Sequence, residues 1–262
     1  MIHWKVVDDY EALSAAAAAI LLDWIERNPS TTLLLPTGST PEGMYAHVVS
    51  ACSARYRCFS DVTTFNLDEY VGVPPDHPGS YHHYMRTRLF SHVDLDPGRS
   101  HLPDGTATEV RRREPELDFE SALRAECASY ERAIEATGGI DVAFLGMGRN
   151  GHIGFNEPGS PFESRTRIVT LHPSTRMANA PFFPEGTVPE RAITAGIGTI
   201  LDSRRIILMA SGAAKAPAVK RLAEEAPSRD FPAAALRLHG DVTVIVDRAA
   251  TAALTVTPAS SR

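Results

Sequence analysis

Two adjacent carboxylates, Asp68 and Glu69, stand in the stretch FNLDEY (65–70), at the end of an expected strand. Consecutive residues on an extended chain point to opposite sides, so only one of the pair can face a crevice squarely. A carboxylate in that position could serve as a general base; the alternative is a loop carboxylate that caps backbone N–H groups. A second group of interest is GMGRNGHIGFNEP (146–158), which brings Asn150, His152 and Glu157 onto one glycine-rich loop. A histidine with a carboxylate partner is the usual device for moving a proton near neutral pH. A third is PTGSTP (36–41), where Thr37, Gly38, Ser39 and Thr40 lead into a helix start and aim backbone N–H groups at one point, a geometry that binds anions. Lys215, at the start of a helix whose dipole does not favour a cation there, is a candidate to meet an anionic ligand, the alternative being a solvated surface lysine.

Some familiar chemistries are excluded on the same residues. The turn at 36–41 lacks the Gly-Lys-Ser/Thr of a nucleotide P-loop. The segment GMGRNG satisfies Gly-x-Gly-x-x-Gly, but HIGFNEP is a poor helix opening and argues against a dinucleotide site. His77, His82 and His83 share a proline-rich loop with no metal-ligand spacing.

The elements that must position these groups alternate along the chain. TTLLLP, VTTFNL (62–67), DVAFLG (141–146), RIILMAS (205–211) and DVTVIVD (241–247) are short continuous apolar runs. Helical patterns over residues 10–28, 41–56, 119–137 and 213–226 stand among them, the second with Thr40 as cap and Pro41 in its first turn. This order predicts an α/β fold with a mainly parallel sheet covered on both faces, and ligands in the crevice beyond the carboxyl ends of the strands. Residues 72–104 and 158–194 fit neither element and read as functional loops. Residues 111–120 are a charge run best read as a solvated helix start.

Bulk properties narrow the partners. A chain of 262 residues with a net charge of -6 carries no basic footprint, so nucleic acid is not expected as a partner. No apolar run approaches the roughly 20 residues that cross a bilayer, so no membrane partner and a cytoplasmic location are expected. Cys52, Cys58 and Cys127 are too few and too unevenly placed for a disulfide framework and read as ordinary thiols in a reducing compartment. No composition shift divides the chain, which reads as one domain over residues 1–262 with a lid at 158–194.

Taken together, LLLPTGSTPEGMY, FNLDEYVGVPPDHPGSYHHYM, GMGRNGHIGFNEPGSPFESRTRIVTL, STRMANAPFF and VPERAITAGIGTIL resemble glucosamine-6-phosphate deaminases, from about Leu33 to the region of residue 247. The resemblance implies a modified Rossmann-like three-layer fold and conversion of an amino-sugar phosphate and water to a ketose phosphate and ammonia, with neither cofactor nor metal. It assigns Asp68 to proton transfer between C2 and C1, and His152 to ring opening with Asn150 and Glu157 tuning it. Thr37, Gly38, Ser39, Thr40 and Lys215 would hold the phosphate. Monomer and homo-oligomer both remain open.

Three positions bear on that assignment. Asn150 stands where some members have aspartate and others asparagine; it cannot relay a proton as a carboxylate can. Pro181 replaces the arginine that usually precedes the paired phenylalanines and clamps the phosphate, a contact worth about 1.5–3 kcal/mol. Either Lys215, Arg176 or another side chain compensates, or the substrate differs. Val169 occupies the position of a lysine in allosteric members, which predicts no activation by an N-acetylamino-sugar phosphate. The competing readings are a sugar-phosphate lactonase, against which NLDEY and FNEP count, and a transcription-regulator effector domain, for whose DNA-binding helices nothing before Tyr10 leaves room.

Overall fold

The computed structural model describes residues 2–53, 58–183 and 186–255. The chain opens with β1 (Ile2–Val7) and α1 (Tyr10–Arg27), whose cap Asp9 accepts from the Ala12 amide. Next come β2 (Thr32–Leu35), α2 (Glu42–Ser53), β3 (Thr63–Asn66), β4 (Asp68–Tyr70), α3 (Tyr81–Arg88) and β5 (Ser100–His101). After α4 (Thr108–Arg113) and α5 (Phe119–Ala136) follow β6 (Val142–Gly146), β7 (Arg167–Thr170), α6 (Pro173–Asn179) and β8 (Arg191–Thr194). The chain then forms α7 (Ile197–Leu201), β9 (Arg205–Ala210), α8 (Ala216–Glu224) and β10 (Val242–Asp247).

Seven strands form a sheet in the order β1-β10-β9-β6-β2-β3-β5, with every neighbouring pair parallel. Side chains alternate across it. Leu33, Leu35, Val142, Phe144, Ile207, Met209 and Ile245 pack with α1 and α2, whereas Leu34, Ala143, Leu145, Ile206, Leu208, Val244 and Val246 pack with α5 and α8. Each of the larger side chains taken out of water contributes about 1.5–3 kcal/mol, which is why continuous apolar runs make strands covered on both sides. The strand order turns around between β2 and β6, and the crevice at their carboxyl ends is the ligand position of an open parallel sheet.

A second sheet, β4-β8-β7, is antiparallel, with Asp68 opposite Thr194 and Thr194 opposite Arg167. It corrects the expectation of irregular segments. Within 72–104 the structure has α3, whose sole buried side chain is Met85, so no apolar period announced it. Within 158–194 it has β7, α6 and β8; residues 184–185 lie outside the described residues. The helix expected from residue 41 begins at Glu42, and its last three expected residues, 54–56, also lie outside them. Residues 111–113 close α4, and Asp118 caps α5 through the Ser121 amide.

The cysteine reading is also corrected. Cys52 and Cys58 form a disulfide, and Cys127 is buried and free. Their Cα atoms are 5.6 Å apart, a separation a disulfide spans readily, so cysteine usage no longer argues for a reducing compartment. Among the described residues, no helix is long and apolar enough to cross a membrane.

Candidate active site

At the carboxyl end of β2 the backbone turns through Gly38, φ +90°, and enters α2. The turn is fixed from behind: Tyr45 donates to the Pro36 carbonyl at 2.6 Å, and Tyr84 of α3 donates to the Gly38 carbonyl at 2.7 Å. Thr37, Gly38, Ser39 and Thr40 all line a cavity of about 540 Å³.

The adjacent carboxylates part company as the alternation of an extended chain requires. Glu69, 1 % exposed, accepts from the amides of Tyr70, Tyr81 and His82 and meets His82 Nδ1 at 2.9 Å. It ties the start of α3 to β4. Asp68 points the other way and lines the cavity, and burial, with the Glu69 charge adding to it, raises its pKa well above the usual carboxylate range. Among the described residues Asp68 accepts no hydrogen bond. A buried carboxylate without donors is a basic one.

The loop after β6 brings His152 to the same cavity. At Gly148 a β-carbon would stand 2.3 Å from the imidazole ring, so only glycine lets the ring fold back over the strand end. Gly151 takes φ +84°, a conformation glycine adopts without strain. The His152 amide donates to Asn150 Oδ1 at 3.2 Å, and Asn150 Nδ2 donates to Glu157 Oε2 at 2.7 Å. That oxygen is 3.6 Å from His152 Nδ1, and the Thr175 hydroxyl donates to the other one. Burial works to raise the Glu157 pKa, but the His152 and Thr175 contacts, the His152 charge and the Asn150 amide outweigh it and pull it down to about 2. Glu157 is thus held ionised on the Nδ1 side of the ring, at a distance beyond a direct hydrogen bond, and Nδ1 makes none among the described residues.

Lys215 precedes α8 and donates to the Met147 carbonyl at 2.6 Å, with burial, then the nearby Arg149 charge, lowering its pKa. Of the nine residues singled out from the sequence, eight line the cavity; Glu157 stands behind His152. Arg176 pairs with Glu190 at 3.2 Å, and neither it nor Pro181 lines the cavity. The histidines of the 72–104 segment have local roles: His77 stacks on Phe183, and His82 meets Glu69. Arg149, Tyr81, Thr175, Asn179 and Phe182 also line the cavity and escaped sequence reasoning.

Comparison with known proteins places this arrangement. The family model described as glucosamine-6-phosphate isomerases/6-phosphogluconolactonase matches residues 8–245. The chain belongs to that family. Within it, the chain is 48 % identical over 242 residues to the glucosamine-6-phosphate deaminase 1 of Bacillus subtilis (strain 168), covering 92 % of this chain and 95 % of that protein. A solved structure described as a monomeric glucosamine-6-phosphate deaminase superposes with a TM-score of 0.87 at 46 % identity, over 96 % of this chain and 99 % of its own. The 6-phosphogluconolactonase from Trypanosoma cruzi, with a TM-score of 0.78 and 21 % identity over 98 % of both chains, shares the fold. The family's α/β architecture, a parallel sheet between helical layers, is the one the alternating apolar runs predicted.

Proposed function

We propose that this protein converts glucosamine 6-phosphate and water to fructose 6-phosphate and ammonia. The reading rests on one observation above all: a buried carboxylate without hydrogen-bond donors, Asp68, and an imidazole with an ionised carboxylate behind it, His152, border one cavity that also contains a turn suited to an anion. The relatives named as deaminases support it.

The C2 proton of the closed sugar is too weakly acidic to remove. His152 therefore acts first, moving a proton from the anomeric hydroxyl to the ring oxygen and giving the open aldehyde, with Glu157 and Asn150 steadying the ring. Asp68 then takes the C2 proton. The electrons of that C–H bond form a C1–C2 double bond, and the carbonyl oxygen takes a proton from water to become an enol. Returned by Asp68 to C1, the same proton leaves an imine at C2, which water hydrolyses to the ketone and ammonia. General acid–base help of this kind is typically worth about 10²–10⁴ in rate. The raised Asp68 pKa suits both proton transfers, since the anion is a stronger base and the acid holds its proton until C1 receives it.

Thr37, Gly38, Ser39, Thr40 and Lys215 hold the phosphate, and residues 158–194 serve as a lid within a single domain, contributing Thr175, Asn179 and Phe182 to the cavity wall. A phosphorylated substrate, confined by its charge to the compartment that makes it, supports a cytoplasmic location; the Cys52–Cys58 bond is the observation that pulls the other way. Mixing the protein with glucosamine 6-phosphate and following ammonia and fructose 6-phosphate tests the proposal. Turnover of both products is expected. No turnover, alongside turnover of another amino sugar, would place the error in substrate identity.

A further inference from the structure

Lys215 is not the only cation at the end of β6. Its ammonium sits on the Met147 carbonyl, two residues before Arg149, and Arg149 lines the same cavity. The anion-binding turn is adjacent: Thr40 Cβ lies 3.7 Å from where a β-carbon on Gly146 would stand. Three features that suit an anion, the 37–40 amides, an ammonium and a guanidinium, thus gather around the last residues of one strand.

Nothing in the described part of the protein neutralises the guanidinium. Among the described residues Arg149 forms no ion pair, unlike Arg165, Arg176, Arg191 and Arg204, each of which meets a carboxylate. Among the described residues, the one carboxylate lining the cavity is Asp68. Two like charges close enough to feel each other, with no counter-charge between them, are held at a cost that a bound anion removes. No other arginine among the described residues lines the cavity.

We infer that Arg149 is the guanidinium that grips the phosphate of the substrate, beside Lys215 and the 37–40 turn, and that it sets the preference of the site for phosphorylated over free amino sugars. The inference rests on the proposed reading of the cavity as a sugar-phosphate site and adds the residue that selects for the phosphate. A planar fork can take two phosphate oxygens at once, which the point charge of Lys215 cannot. The position of Arg149 at the exposed rim keeps its contribution toward the lower end for a charged hydrogen bond.

Titration calorimetry with inorganic phosphate, which requires no turnover, tests this on wild type, Arg149→Met and Arg149→Lys, with steady-state kinetics on glucosamine 6-phosphate beside it. Arg149→Met is expected to weaken phosphate binding about tenfold, with the loss in kcat/KM carried by KM, and Arg149→Lys to fall between the two. Binding of unphosphorylated glucosamine should not follow the same trend. Phosphate affinity in Arg149→Met equal to wild type would overturn the inference, as would a fall in kcat with KM unchanged, which would move Arg149 into the chemistry. If the wild-type enzyme does not turn over glucosamine 6-phosphate, the deaminase reading fails while the phosphate titration still decides for or against Arg149.

Discussion

Strands β2, β6, β9 and β10 are buried along almost their whole length, whereas in the small sheet β7 is half-buried to exposed and only β4 and the inner part of β8 are covered. The two sheets also supply different parts of the cavity. Everything assigned to the phosphate comes from loops at the ends of large-sheet strands. Asp68, by contrast, belongs to β4, and the carboxylate behind His152 is tied to Thr175 of α6, in the excursion between β7 and β8. On the proposed reading, the grip on the phosphate comes from the large sheet, while the chemistry depends on how the two sheets are held together. Among the contacts along the seam that joins them, the Ala195 amide donates to the Leu67 carbonyl at 2.7 Å, the Phe155 amide to the Thr194 hydroxyl at 3.1 Å, and Asn156 Nδ2 to the Ala195 carbonyl at 2.8 Å.

Asp68→Asn breaks the comparison most sharply. It should cost about 10²–10⁴ in kcat and abolish solvent-deuterium exchange at C2, yet leave phosphate affinity intact. Equal losses in both would mean that the two sheets do not divide the work. Core substitutions come next. Leu208→Ala, in the fully buried large sheet, should lose about 2–5 kcal/mol in urea unfolding, while Val169→Ala, half-buried in β7, should lose less than about 1.5 kcal/mol. A Val169 cost as large as that of Leu208 would make the small sheet part of the rigid core.

Lys215→Met should raise KM about tenfold or more through a lost charged hydrogen bond, leaving the C2 exchange of bound substrate to proceed. Buried Asp68 and partly buried Glu157 give the finest test, because their pKa values are displaced in opposite directions. Glu157 is depressed from 4.5 to about 2, so its stabilising contribution is complete above the unfolded value and is lost as pH falls through that window. Asp68 is raised, so the folded state holds its proton more tightly than the unfolded chain and stability declines as pH rises through the folded value. Urea unfolding against pH should show Glu157→Gln closing on wild type toward pH 2, and Asp68→Asn gaining on it as pH rises. Activity should fall on the acid side with an apparent pKa above the ordinary carboxylate range.

The legibility of the chain follows the same division. Strands buried on both faces are largely apolar or lie in apolar runs, so β2, β3, β6, β9 and β10 could be read directly. So could the split between Asp68 and Glu69, which needs only an extended backbone. β1 could not: IHWKVV mixes exposed and covered positions at a sheet edge. Nor could β4, β7 and β8, short strands of which β4 and β8 pair across more than a hundred residues of chain, roughly, and whose identity as strands exists only in that pairing. Arg149 was passed over because a lone arginine in a glycine loop carries no pattern; its meaning comes from sharing a strand end with Lys215. The Cys52–Cys58 pairing needed the chain direction between α2 and β3, which composition does not contain.

The central claim is that Asp68 and His152 work on one bound sugar from opposite sides of a seam. A crystal structure with the phosphorylated open-chain amino alcohol, the reduced form of the substrate, tests it most directly. The account predicts the phosphate against residues 37–40, Lys215 and Arg149, an Asp68 oxygen on the order of 3 Å from C1 or C2, and His152 Nε2 within hydrogen-bond reach of the oxygen that leaves the ring. An analogue bound at the phosphate turn with its C1–C2 end turned away from Asp68 would contradict it.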